Sequence, residues 1–301
     1  MTSIEKFLEL PANEIAQLIR NQRPQACVFP FNGTRRWFLL EHGRENHANP
    51  AQAYIELTSK RYIEMYQMLF DHGLDTVIAP VFGGEILNRG PEYMEQIGYS
   101  MSLLAEHPYF LSFYEKYNVR VHFYGDYRKE LTATPYAYLC DLFDNVTEQT
   151  RKNSKYRLFY GVFGTDATEA IAKMSVEYHQ NNGRIPTRQE LIEMYYGEYI
   201  EKADIFIGFE KFSAFDYPML NLGGESLYFT VAPSLYMTER QLRDILYDHI
   251  YLRPLQEPDY FKMPAEDFEI MRKFYKTNRE ETFGIGDVHG GIWYPNSLKQ
   301  K

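Results

Sequence analysis

Six short apolar runs, separated by stretches of helical periodicity, constrain the fold of this 301-residue chain. Each run is rich in Val, Ile, Phe or Tyr, and most are continuous rather than alternating, which is typical of strands buried on both faces. The runs cover residues 27–31, 76–82, 119–124, 157–163, 204–209 and 226–231. Strands that alternate with helices join through right-handed crossovers. The pattern therefore predicts an α/β fold with a six-stranded, mostly parallel sheet flanked by helices.

Helix-capping residues bound several of the stretches between the runs. Pro91 suits the first turn of a helix, and Asp166 and Thr238 are good N-cap residues. Thr187 and Glu190 have the spacing of a capping box. The predicted helices cover residues 52–72, 91–117, 167–181, 188–202, 239–251 and 265–276.

Two regions fall outside this alternation. Residues 128–155 are polar and rich in turn formers, and we expect a mobile excursion there. The tail from about residue 253 contains Pro254, Pro258 and Pro264. We therefore predict one domain over residues 1–301, with residues 253–301 as a C-terminal appendage.

Composition limits the classes of partner and the location. The net charge of −9 argues against non-specific nucleic-acid binding, so clustered arginines are expected to bind a local anion. Cys27 and Cys140 are the only cysteines, too few for a disulfide framework or a zinc cluster. The chain shows no signal peptide and no apolar run long enough to span a membrane, so a reduced, cytoplasmic location is expected.

The segment from Asn32 to Arg36 follows the first predicted strand directly. Open α/β sheets bind ligands at the carboxyl ends of their strands. Gly33 permits close approach of the backbone to a ligand, Thr34 adds a hydroxyl donor, and the two arginines are suited to phosphate oxygens. The segment therefore predicts a phosphate site, although a surface turn with two solvated arginines has the same composition.

Two further candidates come from the next elements of the chain. The loop after the second strand holds Glu85, which can bind a metal, orient water or hold an arginine, and Arg89, another anion donor. An exposed ion pair in a glycine-rich connection is the alternative interpretation. Tyr54 lies early in the next predicted helix on its apolar face, where a core tyrosine would also be found.

Aromatic residues make up 16% of the chain, including 26 tyrosines and 21 phenylalanines. A core rich in tyrosine explains this composition. A large apolar pocket whose ring faces stabilise a cationic intermediate explains it as well.

Several motifs resemble those of the cis-prenyltransferases, the undecaprenyl diphosphate synthase family. Residues 31–37, Phe-Asn-Gly-Thr-Arg-Arg-Trp, resemble the Asp-Gly-Asn-Gly-Arg-Trp signature of that family. Residues 82–89 are similar to its Phe-Ser-Ser-Glu-Asn-Trp-x-Arg loop, and residues 204–207, 212–215 and 226–229 resemble its C-terminal motif. The resemblance implies the cis-prenyltransferase fold.

Longer blocks resemble a narrower family of bacterial diterpene enzymes that includes tuberculosinol synthases, tuberculosinyl adenosine transferases and (+)-kolavelool synthases. These blocks cover residues 28–31, 123–127, 195–199, 226–234, 246–253 and 283–293.

Departures from the cis-prenyltransferase pattern narrow the implied reaction. Gly208 stands in place of an arginine that binds the second diphosphate, and Ser226 in place of a metal-binding glutamate. The resemblance therefore implies that one allylic diphosphate is ionised without elongation. Asn32 stands where the family has an aspartate that places Mg²⁺, so Asn32 can ligate the metal only through its carbonyl oxygen. Glu85 is then the nearest acidic group in the second motif.

The resemblance implies a diterpene alcohol synthase that converts a bicyclic C20 substrate of the kolavenyl diphosphate type. Water attack would give a tertiary alcohol such as kolavelool, plus diphosphate. Tyr54 would lie near the cleaving bond or position the water, and Glu85 would orient or deprotonate it. The implied diphosphate-binding residues are Gly33, Thr34, Arg35, Arg36 and Arg89.

Two alternatives remain open at this point. One is transfer of the prenyl group to an acceptor such as adenosine, and the other is a non-catalytic partner subunit. Homodimerisation and a requirement for Mg²⁺ are implied by the family.

Overall fold

The computed structural model describes residues 3–22, 25–164, 167–253 and 258–296. Its main sheet is built from the strands β1 Ala26–Val28, β2 Thr76–Phe82, β3 Val119–Tyr124, β4 Tyr156–Val162, β5 Ile205–Phe209 and β6 Ser226–Thr230. The strand order is β3-β4-β2-β1-β5-β6, and every pair in it is parallel. The predicted α/β class with a six-stranded parallel sheet is therefore confirmed.

The continuous apolar runs arise because both faces of the sheet are covered. Cys27, Val77 and Leu158 belong to the larger core cluster on one face. Val28 and Ile78, each next in sequence to one of these residues, belong to a second cluster on the other face. Successive side chains of a strand point to opposite faces, so two covered faces require apolar residues at every position.

The described ranges contain twelve α-helices. They are α1 Ile4–Glu9, α2 Ala12–Gln22, α3 Thr34–His42, α4 Pro50–Asp71, α5 Pro91–Glu106, α6 Pro108–Tyr117, α7 Tyr127–Leu131, α8 Tyr138–Thr150, α9 Ala167–Asn182, α10 Arg188–Tyr196, α11 Glu239–Tyr247 and α12 Ala265–Asn278. In the described part of the chain, no helix is both long enough and apolar enough to cross a membrane.

The prediction of one helix over residues 91–117 was wrong. Pro108 divides it into α5 and α6, and His107 between them has extended backbone angles. Proline lacks the N–H that a continuous helix needs and disfavours helical angles in the residue before it. Periodicity alone does not reveal this break, because both helices keep an apolar face.

Two other helices differ from the prediction at their C-terminal ends. The helix predicted over residues 188–202 stops at Tyr196, because Gly197 takes a left-handed conformation with φ of 84°. Its predicted capping box between Thr187 and Glu190 is present. The helix predicted over residues 239–251 ends at Tyr247 and continues as a π-helical turn, Asp248–Leu252. The cap predicted at Asp166 lies outside the described residues.

The expectation of a mobile excursion over residues 128–155 was also wrong. This region contains α8, which buries Leu139, Phe143 and Val146 against the sheet domain. The ring of Phe143 stacks on Phe123 of β3 with centroids 4.0 Å apart. The polar residues that suggested a loop lie mainly on the solvent face of an amphipathic helix.

The described C-terminal region, residues 258–296, consists of α12 and a hairpin. The helix contributes no buried residue. The antiparallel hairpin pairs β7 Gly286–His289 with β8 Ile292–Pro295, separately from the main sheet. The predicted helix over residues 265–276 is confirmed.

Candidate active site

The predicted phosphate-binding segment is the entry to a helix, α3, which the sequence analysis did not predict. Gly33 has φ of 73° and precedes α3, so Arg35 and Arg36 lie in the first helical turn. No side chain caps this N-terminus in the described structure. The first backbone N–H groups of a helix and its dipole both favour a bound anion. The N-terminus of α3 therefore offers backbone N–H donors to an anion, in addition to the donors of the two guanidinium groups.

Gly33 is required by packing as well as by its backbone angles. A Cβ atom added there would lie 2.7 Å from Cε1 of Phe209 and 3.0 Å from Cβ of Pro233. Phe209 ends β5 and Pro233 follows β6, so loops from three strands meet at this point. The segment is thus held against the carboxyl end of the sheet.

Thr34 and Tyr54 are joined by a hydrogen bond of 2.8 Å between their hydroxyl oxygens. Tyr54 lies on the first turns of α4 and is half-buried. Burial raises the pKa of the Tyr54 phenol, while the hydrogen bond with Thr34 and the charge of Arg35 oppose that shift. The phenol therefore stays protonated near neutral pH and is available as a neutral hydrogen-bond donor.

Tyr93, at the start of α5, joins the two motifs that the sequence treated separately. The guanidinium carbon of Arg35 lies 5.6 Å from the centroid of its ring, and that of Arg89 lies 5.2 Å away. Arg89 Nη1 also donates to the Tyr93 hydroxyl at 3.3 Å. Arg35 of the first motif and Arg89 of the second therefore share one aromatic partner. Sequence reasoning did not single out Tyr93.

Arg36 has a partner that sequence reasoning also missed. Its Nη2 donates to Oε2 of Glu210 at 2.6 Å, and its guanidinium carbon lies 4.7 Å from the centroid of the Phe209 ring. Glu210 immediately follows β5, at the carboxyl end of a strand adjacent to β1. Applying the strand-end rule to this third loop would have found it.

Asn32 is fixed through its backbone by Ser234. Its N–H donates to the Ser234 hydroxyl at 3.1 Å, and its carbonyl accepts from the Ser234 N–H at 3.1 Å. The Ser234 hydroxyl itself donates to the Pro30 carbonyl at 3.2 Å. Among the described residues, none forms a hydrogen bond with the Asn32 side-chain amide. The backbone is therefore held in place while the amide stays available to a ligand.

The described residues do not assemble a protein-built site for Mg²⁺. They contain no group of three His, Cys, Asp or Glu side chains placed to hold a metal ion. Protein sites for Mg²⁺ beside a phosphate substrate usually supply one or two carboxylates. Here Asn32 offers one neutral oxygen, and the Glu210 carboxylate is paired with Arg36. The prediction for Glu85 falls on a side chain outside what the structure describes; its backbone lies in the short 3₁₀ helix Gly84–Arg89.

Aromatic rings form the wall behind the segment. Phe31 stacks on Tyr62 with centroids 4.3 Å apart and lies 5.0 Å from the ring of Tyr66. Phe38 of α3 packs edge-on against Tyr54 at 5.4 Å. These rings belong to the larger core cluster or pack against it, which accounts for part of the aromatic content.

The two positions that depart from the cis-prenyltransferase motif have structural partners of their own. A Cβ atom on Gly208 would lie 2.7 Å from Phe206 and 2.7 Å from Phe229, so the packing leaves no space for an arginine stem. Ser226 is buried at the amino end of β6, and its hydroxyl lies 2.8 Å from Nδ1 of His249. The other ring nitrogen of His249 lies 3.1 Å from Oε1 of Gln25. Neither position supplies a charged group to the candidate site.

Comparison with characterised proteins identifies relatives over the whole chain. The chain is 47% identical to the tuberculosinyl adenosine transferase of Mycobacterium tuberculosis (strain CDC 1551 / Oshkosh) over 297 residues, 98% of each protein. It is 24% identical to the (+)-kolavelool synthase of Herpetosiphon aurantiacus over 300 residues, 98% of this chain and 96% of that enzyme. No protein-family model matches the chain.

Solved structures agree on the fold. Lavandulyl diphosphate synthase from Lavandula x intermedia, in complex with dimethylallyl diphosphate, superposes with a TM-score of 0.55 at 12% identity, over 75% of this chain and 94% of that one. A probable undecaprenyl diphosphate synthase from Campylobacter jejuni gives a TM-score of 0.52 at 12% identity, over 80% and 99%. With its six-stranded parallel sheet and a relative at 47% identity over nearly its full length, this chain belongs to the tuberculosinyl adenosine transferase family and has the cis-prenyltransferase fold.

Proposed function

We propose that this protein ionises a cyclic C20 allylic diphosphate of the tuberculosinyl type and transfers the prenyl group to adenosine. The observation that carries the proposal is the cationic entry of α3, with Thr34, Arg35 and Arg36 in its first turn and Tyr54 bonded to Thr34 at 2.8 Å. Adenosine is favoured as the acceptor because the relative at 47% identity transfers to adenosine. The sequence analysis had placed water first and adenosine second, so the order of the two acceptors is reversed.

The diphosphate would bind at the N-terminus of α3. Negative charge builds on the leaving diphosphate as the allylic C–O bond breaks, and preorganised donors stabilise it. Gly33 allows close approach of the backbone, Thr34 supplies a hydroxyl, and Arg35, Arg36 and Arg89 supply guanidinium groups. These groups act directly on the leaving group.

The neutral phenol of Tyr54 would lie close to the cleaving bond through its contact with Thr34. The rings of Phe31, Tyr62 and Phe38 would face the allylic cation, whose charge their π-faces stabilise. The bond from carbon to the acceptor forms as the diphosphate leaves.

Mg²⁺ would supply further charge neutralisation on the diphosphate, with Asn32 as its one described oxygen donor. That this protein forms a homodimer remains a proposal, based on its resemblance to the cis-prenyltransferases.

Water is the second candidate acceptor, favoured by the relative that is a (+)-kolavelool synthase. In that reaction the water oxygen bonds to the tertiary carbon, the allylic C–O bond breaks, and the proton passes to Glu85, the residue proposed to orient the water. The product would be a tertiary alcohol such as kolavelool.

Product analysis separates the two acceptors. The enzyme is incubated with tuberculosinyl or kolavenyl diphosphate, with and without adenosine, and diphosphate release and product mass are measured. We expect diphosphate release and a prenylated nucleoside when adenosine is present. An alcohol as the sole product in the presence of adenosine would establish water as the acceptor, and no release from either substrate would indicate a non-catalytic subunit.

Two further experiments test the diphosphate-binding role of Arg36 and the absence of prenyl-chain elongation. Arg36→Ala should reduce turnover by a factor of about 100 or more while circular dichroism stays unchanged, because oxyanion-type donors contribute about that much. Wild-type activity in this variant would remove the diphosphate role of Arg36.

Isopentenyl diphosphate added with an allylic substrate should give no longer product, and a C25 product would contradict the proposal.

A further inference from the structure

The pair formed by Glu210 and Arg36 is part of the candidate site although neither motif of the sequence contains Glu210. The Glu210 side chain is 16% exposed and that of Arg36 is 36% exposed, so the pair lies at the mouth of the site. Its N–O distance is 2.6 Å, and the Phe209 ring lies against the guanidinium at 4.7 Å. Carboxylate and ring together fix the position and the plane of the guanidinium.

The backbone of Glu210 has a conformation that glutamate rarely adopts. Its φ is 66°, in the left-handed region where glycine and asparagine are favoured. The Glu210 N–H donates to the carbonyl of Thr230 at 3.1 Å, which holds the residue in place. A residue chosen only for this backbone would be glycine or asparagine. The glutamate side chain is therefore the feature to explain.

The pair engages only one of the nitrogens of Arg36. Nη2 donates to Glu210, whereas Nη1 and Nε form no hydrogen bond with any described residue. A guanidinium carries five N–H donors in a rigid plane, so most of them remain for a second acceptor. Arg35 and Arg89 leave the site with a net positive charge even after Glu210 is counted.

We propose that Glu210 is a positioning residue that holds the Arg36 guanidinium in the orientation in which it binds the diphosphate of the substrate. This inference rests on the proposed function. It assigns Glu210 an effect on diphosphate affinity through Arg36, without contact between Glu210 and the reacting carbon. An anchored guanidinium loses less freedom when the anion binds, which increases affinity.

The test measures binding of inorganic diphosphate by isothermal titration calorimetry in four variants of the full chain. Glu210→Asn retains a residue suited to the left-handed backbone but shortens the side chain out of reach of Arg36. Glu210→Gln keeps an acceptor oxygen at the same reach without its charge. Arg36→Ala tests the cradle itself. Glu201→Gln is the matched control, because it removes the same charge from an exposed position.

We expect Glu210→Asn to weaken binding about tenfold, as loss of an orienting partner typically does at other sites. Glu210→Gln should bind between this variant and the wild type, and Glu201→Gln should bind as the wild type does. In steady-state kinetics the KM for the allylic diphosphate should rise in Glu210→Asn, and kcat should fall by a smaller factor because Arg36 also stabilises the leaving diphosphate. Its unfolding midpoint should be equal to or higher than that of the wild type, because asparagine suits the backbone better.

If Glu210→Asn binds diphosphate as tightly as the wild type, the inference is overturned. Tighter binding would also overturn it, because it would show that the Glu210 carboxylate competes with the anion for Arg36. If Arg36→Ala loses binding in that case, the proposed diphosphate site still stands. If the wild type does not bind diphosphate, or Arg36→Ala binds equally well, the proposed site fails and the inference with it.

Discussion

Asn32 is the position at which a dependence on metal can be tested. Its backbone is held by two hydrogen bonds to Ser234, so substitution of the side chain should leave the segment in place. The amide is isosteric with aspartate but carries no charge, and its oxygen is a weaker ligand for Mg²⁺ than a carboxylate.

Asn32→Asp should therefore lower the Mg²⁺ concentration that gives half-maximal activity, by a factor of about five if one added charge at close range contributes on the order of 1 kcal/mol. The measurement is a Mg²⁺ titration of diphosphate release. Asn88→Asp, an exposed asparagine in the second motif, is the control for added charge. Identical metal dependence in Asn32→Asp and wild type would show that position 32 does not contact the metal.

Candidate residues of the site could be chosen from the sequence, but the contacts between them could not be predicted. The sequence selected Thr34, Arg36 and Tyr54, and the structure places all three at the carboxyl end of the sheet or beside it. It did not select Tyr93, four residues from Arg89, or Glu210, because the sequence does not show which of several candidate partners a given arginine will face. Glu210 is 174 positions from Arg36, and only the strand order brings the two together.

At the level of single elements, the entry to α3 requires glycine for two reasons: a left-handed backbone conformation and close packing. Gly33 has φ of 73°, and an added Cβ would meet the Phe209 ring at 2.7 Å. The two effects are independent, since the first arises from the backbone and the second from a neighbouring loop.

Gly33→Ala should destabilise the protein by about 1–3 kcal/mol, the usual cost of a non-glycine residue held in an unfavourable conformation. Urea denaturation followed by fluorescence measures the change in free energy of unfolding. Gly223→Ala is a useful comparison, since its φ of 76° is similar but no atom lies within 4 Å of the added Cβ. Equal losses in the two variants would show that contact with Phe209 does not matter.

Glu198, in the loop after α10, links strands β3 and β4 away from the candidate site. Its carboxylate lies 3.1 Å from Arg120 and from His122 of β3, and 3.3 Å from Arg157 of β4. The hydrogen bond from His122 and the charges of both arginines lower the pKa of Glu198 to about 2, against the opposing effect of partial burial.

A lowered pKa means that the folded protein binds this proton less readily than the unfolded chain does. The contribution of Glu198 is therefore fully present above about pH 4.5 and is lost as the pH falls towards 2. We expect about 1–2 kcal/mol, after allowance for screening of a partly exposed group. Glu198→Gln should lose stability at pH 7 and show a smaller further loss between pH 5 and pH 3 than the wild type, in denaturation curves across that range.

Elements themselves were predicted well where one local signal dominated. The strands followed from continuous apolar runs, and the capping box at Thr187 marked the start of α10 correctly. Errors arose where a single backbone feature overrode periodicity, as at Pro108 and Gly197. The burial of α8 could not be predicted from its polar composition, because one apolar face is enough to dock a helix.

At the scale of the whole molecule, the C-terminal region differs from the sheet domain in how little it buries. No residue of α12 is buried, and Phe261, Phe274 and Phe283 are largely exposed. Gly284 lies near Phe212, where an added Cβ would be 3.5 Å from the ring. The division into a domain and an appendage remains a prediction.

Truncation after Arg253 should therefore shift the unfolding midpoint by only a few degrees, since little apolar area leaves the core. Differential scanning calorimetry gives the midpoint, and light scattering after size-exclusion chromatography gives the mass of both proteins. A large drop in midpoint together with loss of a dimer would indicate that the appendage stabilises the protein through a second copy.

The position of β1 in the sheet has a consequence for how the protein is made. This strand pairs with β2 early in the chain, but its other neighbour is β5, and Ser234 fixes Asn32 from 202 residues further along. A ribosome releases the N-terminal half long before residues 205–236 emerge from its exit tunnel. The end of the sheet that carries the candidate diphosphate site therefore cannot be completed during most of translation, and a nascent chain arrested before that point should bind no diphosphate.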